Sequence, residues 1–160
     1  MIKAIPFKNT TIRYQVKGSG IPVILVHGYL ESLEVWDGFG DELAKVFMVI
    51  APDLPGHGQS GILGDIHTME TAAEAVRHVM DNENIDKGVV FGHSLGGYVT
   101  LAFATQYPDR LLGFSLFHSH PFPDPQEKKD NRDREITLIK EGKRKFLYEM
   151  NIPNMFADEN

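Results

Sequence analysis

Residues Val89 to Ala104 read VVFGHSLGGYVTLAFA, and this stretch decides how the rest is read. An apolar run over Gly88–Phe91 has the character of a strand, and it stops at Gly92. A helix-like run over Leu95–Gln106 begins directly after Ser94 and is stopped by "YPDR". The serine is therefore left on a sharp strand-to-helix turn. Glycines at 92 and 96 let strand and helix pass closely without collision. In open sheets of strands alternating with helices, ligands bind at the carboxyl ends of the strands. The first turn of the following helix offers unpaired N–H groups and a positive dipole end to a developing oxyanion. G-x-S-x-G in this setting, with Gly97 behind it, presents Ser94 as a nucleophile. The alternative is a turn serine with a structural role.

Working outward, the surrounding segments supply the sheet. Ile2–Phe7 and Thr11–Val16 flank "KNT" and predict a hairpin; in the second, Ile12, Tyr14 and Val16 alternate with polar residues. "PVILV", Pro22–Val26, is a continuous apolar run expected of a strand covered on both faces. Val46–Ala51, Gly88–Phe91 and Leu111–Phe117 are further strands. Met69, Ala72, Ala73, Val76, Val79 and Met80 recur at helical spacing behind Thr68, an N-cap residue type. A helix is also expected over Val35–Lys45, weakened by Gly38 and Gly40. Strands alternating with helices at this spacing require parallel crossovers, so the expected class is α/β, a mostly parallel sheet with helices on both faces.

The chain has 160 residues, no cysteine and a formal net charge of −6. That size suits one domain with a real core. The absence of cysteine excludes disulfides and thiolate chemistry and fits a reducing compartment, with the cytoplasm as the default. The acidic balance disfavours nucleic acid as a partner. No stretch approaches the ~20 apolar residues of a membrane span, so no membrane partner is expected, and the first residues do not resemble a signal peptide. No residue cluster calls for a metal or cofactor.

Two further segments converge on the same sheet edge. "LVHGYLES", Leu25–Ser32, leaves the third strand through His27 and Gly28. The backbone N–H groups of Tyr29 and Leu95 are then the candidate oxyanion donors. His27 is expected to be a hydrogen-bonded structural residue and not a base. The side chains of Tyr29 and Leu30 are expected to line a pocket; Trp36 either joins them or packs under the first helix. "APDLPGHGQS", Ala51–Ser60, forms a tight loop after the fourth strand, in which Asp53 and His57 are read as structural.

The segments "HGYLES", "DLPGHGQS" and "GHSLGG", in this order and spacing, resemble the α/β-hydrolase superfamily, and most closely its esterase and epoxide-hydrolase-like branch. The resemblance implies an eight-stranded sheet, a helical cap after the sixth strand and a Ser–acid–His triad. A serine at position 94 points away from the members that use an aspartate nucleophile. Esterases, lipases, peptidases, cofactor-free haloperoxidases and carbon–carbon bond hydrolases remain open.

On this reading residues 1–120 are the N-terminal part of the hydrolase core and 121–160 the start of the helical cap. "DPQE" marks a helix start, with Asp124 as N-cap and Pro125 at the first helical position, running to about Glu141. Its Lys and Arg are interspersed with acids, as on a solvated face. In the family the catalytic acid and histidine follow the cap, so they are expected beyond Asn160. His118 and His120 leave the sixth strand beside Ser94 and are read as pocket lining, while Asp109 falls at the opposite end of the sheet. Phe122, Met155 and Phe156 extend the apolar acyl pocket.

The leading expectation is a cofactor-free serine hydrolase of the carboxylesterase type acting on a small ester-like substrate, with Ser94 as nucleophile and this chain alone inactive. The alternative is a non-catalytic ligand-binding receptor or pseudoenzyme on the same fold. An unpaired edge at Leu111–Phe117 makes self-association, or association with a C-terminal half, the expected partnership.

Overall fold

A computed structural model describes residues 1–152. Residues Met1–Pro121 form one compact unit and those from Phe122 onward a second. The first contains strands β1 (Ile2–Phe7), β2 (Thr10–Lys17), β3 (Pro22–Val26), β4 (Met48–Pro52), β5 (Gly88–His93) and β6 (Leu111–Phe117). They form a single sheet in the order β1-β2-β4-β3-β5-β6. β1 and β2 are an antiparallel hairpin, and β2 joins β4 antiparallel. The four strands β4, β3, β5 and β6 are parallel. The mostly parallel α/β sheet expected from sequence is thus the observed fold.

β3 lies between β4 and β5, which explains its uninterrupted apolar run. Strand side chains alternate between faces. Ile24 and Val26 enter one core with Ile12, Tyr14, Ile50 and Val90, beneath the helical residues Val76, Met80, Val99 and Phe103. Val23 and Leu25 enter a second core on the other face with Val49, Ala51, Leu33 and Trp36. The helices serving the first face are α2 (Met69–Asn82) and α3 (Leu95–Gln106). Thr68 caps α2 as expected, its Oγ1 accepting from Thr71 N–H at 3.1 Å.

Two boundaries differ from expectation. The helix anticipated over Val35–Lys45 is broken into a 3-10 turn, Leu33–Trp36, and a short helix α1, Phe39–Leu43. The break is Gly38, whose φ of 76° lies outside helical space. The fourth strand begins at Met48 and not at Val46, which is exposed and unpaired with the sheet.

In the second unit, α4 spans Gln126–Lys140 and α5 Arg144–Asn151. The cap assignment at Asp124 moves by one residue. Pro125 is extended (ψ 161°) and occupies the cap position, its carbonyl accepting from Lys129 N–H at 3.2 Å. The Asp124 carboxylate instead takes a hydrogen bond from Arg132 Nε at 2.7 Å. Leu147 of α5 is buried, and Asn151 Nδ2 donates to Glu135 Oε1 of α4 at 3.2 Å.

Among the described residues, no helix is long and apolar enough to cross a membrane and no His, Cys, Asp and Glu cluster could hold a metal ion.

Candidate active site

Three non-glycine residues with positive φ stand at the carboxyl ends of three neighbouring strands. Leu30 (φ 61°) follows β3, Ser94 (φ 49°) follows β5 and His118 (φ 46°) follows β6. Each such conformation costs of order 1–3 kcal/mol and persists only where the surroundings enforce it. Strain concentrated at one sheet edge marks that edge as the place where geometry outranks stability.

Ser94 is exposed and sits between β5 and α3, as the G-x-S-x-G junction requires. Its strained backbone is tied to the end of β6. Ser94 N–H donates to Phe117 O at 3.0 Å, and Ser94 O accepts from Ser119 Oγ at 2.8 Å and Gly97 N–H at 3.0 Å. The close passage of strand and helix is real: a Cβ at Gly92 would lie 2.2 Å from Gly96 O, and one at Gly96 would lie 2.2 Å from Val26 O. Any side chain at either position would push α3 off the sheet. Leu95 is the first residue of α3, so its N–H has no partner within the helix.

The loop after β3 is held from two sides. His27 is fully buried, with Nε2 accepting from Leu54 N–H at 3.0 Å. The proton is therefore on Nδ1, which donates to Gly28 O at 2.9 Å. Burial pushes the imidazole below its ordinary pKa, and the bond to Gly28 offsets only part of that push. A neutral ring with both nitrogens engaged holds the loop, the structural role expected for it.

Glu31 holds the other side. Its Oε2 accepts from Gly28 N–H at 2.5 Å and lies 2.9 Å from His93 Nδ1. Sequence reasoning passed over Glu31. A signal was present: a Glu three residues after the residue whose N–H it accepts has the spacing of the reciprocal arm of a capping box.

Asp53 is also buried and serves the loop after β4. It accepts from Leu33 N–H at 2.7 Å, Gln59 N–H at 2.9 Å and Arg13 Nη1 at 3.1 Å. His57 Nδ1 is 3.2 Å from Pro55 O, and its ring lies beside that of His27. Both residues build the turn.

The remaining expected residues separate. Tyr29 and Leu30 are half-buried in the loop after β3. Trp36 is in the second core, where its ring meets Phe39 and the edge of His93. It also lines an apolar cavity of 370 Å³ with Val35, Phe39, Phe91, His93 and Phe117. Tyr29 and Leu30 are not on that lining; Trp36 packs into the second core, as one of its two readings had it. His118 packs on the His93 and Phe117 rings, and His120 on Tyr98. Asp109 lies in the turn leading into β6, at the opposite end of the strands from Ser94. Phe122 is an exposed residue of the second unit. Met155 and Phe156 lie outside the described residues.

The profile of the family described as "alpha/beta hydrolase fold" matches residues 21–135. The chain belongs to the α/β-hydrolase family. Among solved structures, the chain is similar to a thermophilic esterase from Thermogutta terrifontis, with a TM-score of 0.87 and 34% identity. That likeness covers 96% of this chain and 58% of the esterase. Its relatives include a soluble epoxide hydrolase of Corynebacterium sp., 39% identical over 66% of this chain and 36% of the relative. Another is the dihydrolipoyllysine-residue acetyltransferase component of the acetoin cleaving system of Cupriavidus necator, 38% identical over 71% of this chain and 30% of that protein. The chain thus spans about a third of the length of the curated relatives it matches. Esterases and epoxide hydrolases are both among its neighbours.

Proposed function

We propose that this chain carries the nucleophile half of a serine hydrolase that cleaves acyl esters, with Ser94 as nucleophile. The observation that supports this best is the conformation of Ser94: a strained, exposed serine on a strand-to-helix turn, braced by hydrogen bonds from the neighbouring strand. Nothing in a purely structural turn calls for a serine at φ 49°.

In the proposed reaction Ser94 Oγ attacks the carbonyl carbon of the ester. A C–O bond forms as the carbonyl π electrons move onto oxygen, and the hydroxyl proton passes to a general base. The N–H groups of Tyr29 and Leu95 receive the oxyanion. Collapse expels the alcohol, which takes the proton, and water then releases the acid from the acyl-serine by the same path. His27 is unsuited as base because both its nitrogens are committed. The family resemblance supplies the base as a histidine placed after the cap, with its acid. The helices α4 and α5 are proposed as the start of that cap. The exposed apolar positions Leu112 and Phe114 on edge strand β6 support pairing with a further strand, from a second copy or from a C-terminal half.

The test uses the protein that carries this chain. A fluorophosphonate probe is expected to label Ser94, and Ser94→Ala to abolish both labelling and hydrolysis of p-nitrophenyl acetate. Undiminished turnover in that variant would place the nucleophile elsewhere. Binding of ester analogues without turnover in the unaltered protein would favour a ligand-binding receptor instead.

A further inference from the structure

We propose that Glu31 is a positioning residue: its carboxylate sets the loop carrying Tyr29 against the nucleophile turn, acting through Gly28 and His93. The inference rests on the reading of Ser94 as nucleophile. One oxygen, Glu31 Oε2, makes both contacts, with Gly28 N–H at 2.5 Å and His93 Nδ1 at 2.9 Å. Gly28 precedes the proposed oxyanion donor Tyr29, and His93 precedes the nucleophile. A single atom therefore spans the two segments whose relative placement determines whether an oxyanion and its donor meet.

The packing shows how small the gap is. A Cβ at Gly28 would lie 2.9 Å from Glu31 Oε2 and 3.1 Å from Ser94 Cβ. The carboxylate is thus wedged at the point where the two loops touch. Each of its contacts also adjoins strain: Leu30 (φ 61°) is the residue before Glu31, and Ser94 (φ 49°) the residue after His93. Two strained segments facing each other need a tie that does not depend on either alone, and this carboxylate supplies it. The Glu31 side chain is 17% exposed, and among the described residues its ion-pair partner is His93. A surface glutamate with an incidental neighbour would show neither the burial nor the shared oxygen.

Glutamine at position 31 retains the geometry, since its amide oxygen, in the place of Glu31 Oε2, accepts from both Gly28 N–H and a His93 ring protonated on Nδ1. Alanine removes both contacts. In p-nitrophenyl acetate hydrolysis, Glu31→Ala is expected to lower kcat about 10- to 100-fold, the scale on which misplaced reacting groups cost rate. KM should stay within about twofold, because the loss falls on the transition state and not on ground-state binding. Glu31→Gln should recover most of the rate. Amide exchange in the 15N-labelled chain gives a second readout that needs no turnover. The Gly28 N–H should be protected in the unaltered chain, in Glu31→Gln and in Ser94→Ala, and unprotected in Glu31→Ala. An alanine variant with unchanged kcat, or with Gly28 still protected, overturns the proposal. Turnover surviving in Ser94→Ala overturns the nucleophile assignment instead and leaves the exchange result to be read separately.

Discussion

Helices α2 and α4 are nearly equal in length and differ in what holds them. α2 buries Ala72, Ala73, Ala75, Val76, Val79 and Met80 against the sheet. α4 buries no residue at all; its Ile136 is half exposed, and its local contacts are pairs such as Gln126–Asp130. Exposed pairs of this kind contribute about 0.2–0.5 kcal/mol each, and isolated helices of this length are marginal in water. A helical pattern in sequence is therefore two different statements. In α2 it records a face committed to a core; in α4 it records local preference only, with the apolar positions Ile136 and Ile139 not gathered into a buried face.

That contrast can be broken by three substitutions. Met80→Ala removes a fully buried side chain from the larger core. It should cost about 2–5 kcal/mol in urea unfolding followed by circular dichroism. Thr68→Ala deletes the cap of the same helix and should cost about 1 kcal/mol in that assay. Ile136→Ala in α4 should change stability by no more than about 0.5 kcal/mol. If it matched Met80→Ala, the helices would not differ as described, and α4 would have to be held by burial.

The same distinction explains what could be read in advance. Alternation in β2 and the continuous run of β3 follow from burial on one face and on two, so the strands were legible from periodicity alone. The Thr68 cap and the Ser94 turn were legible because each needs particular residue types at fixed offsets. The break at Gly38 was foreseen only as a weakness, since glycine tolerates helical and left-handed backbone alike and the sequence does not say which it takes. Asp124 misled for a related reason. Aspartate serves equally as a cap and as an arginine partner, and the guanidinium of Arg132 two turns later settles which. Within the site, Ser94 and the glycines around it were visible. Glu31 was legible only through its spacing to Gly28; its contact with His93, 62 residues further along the chain, follows no local pattern. Trp36 sits in the second core through the 3-10 turn at Leu33–Trp36, a placement that its sequence neighbourhood left open.

The strand order also bears on when the site comes into being. The hairpin β1–β2 closes across two residues, whereas β3 must find β5 by pairing Val23 with Val89, across everything between them. Contacts so distant in sequence form slowly, because the loop must close before any pairing compensates for its lost entropy. Ser94 reaches its braced conformation only once β5 has also gained β6, through the bond to Phe117. A chain in which β6 has not yet formed therefore lacks the bond to Phe117 O that fixes the Ser94 backbone. The turn that carries Ser94 is thus a late product of folding, completed only when the last strand of the sheet is in place.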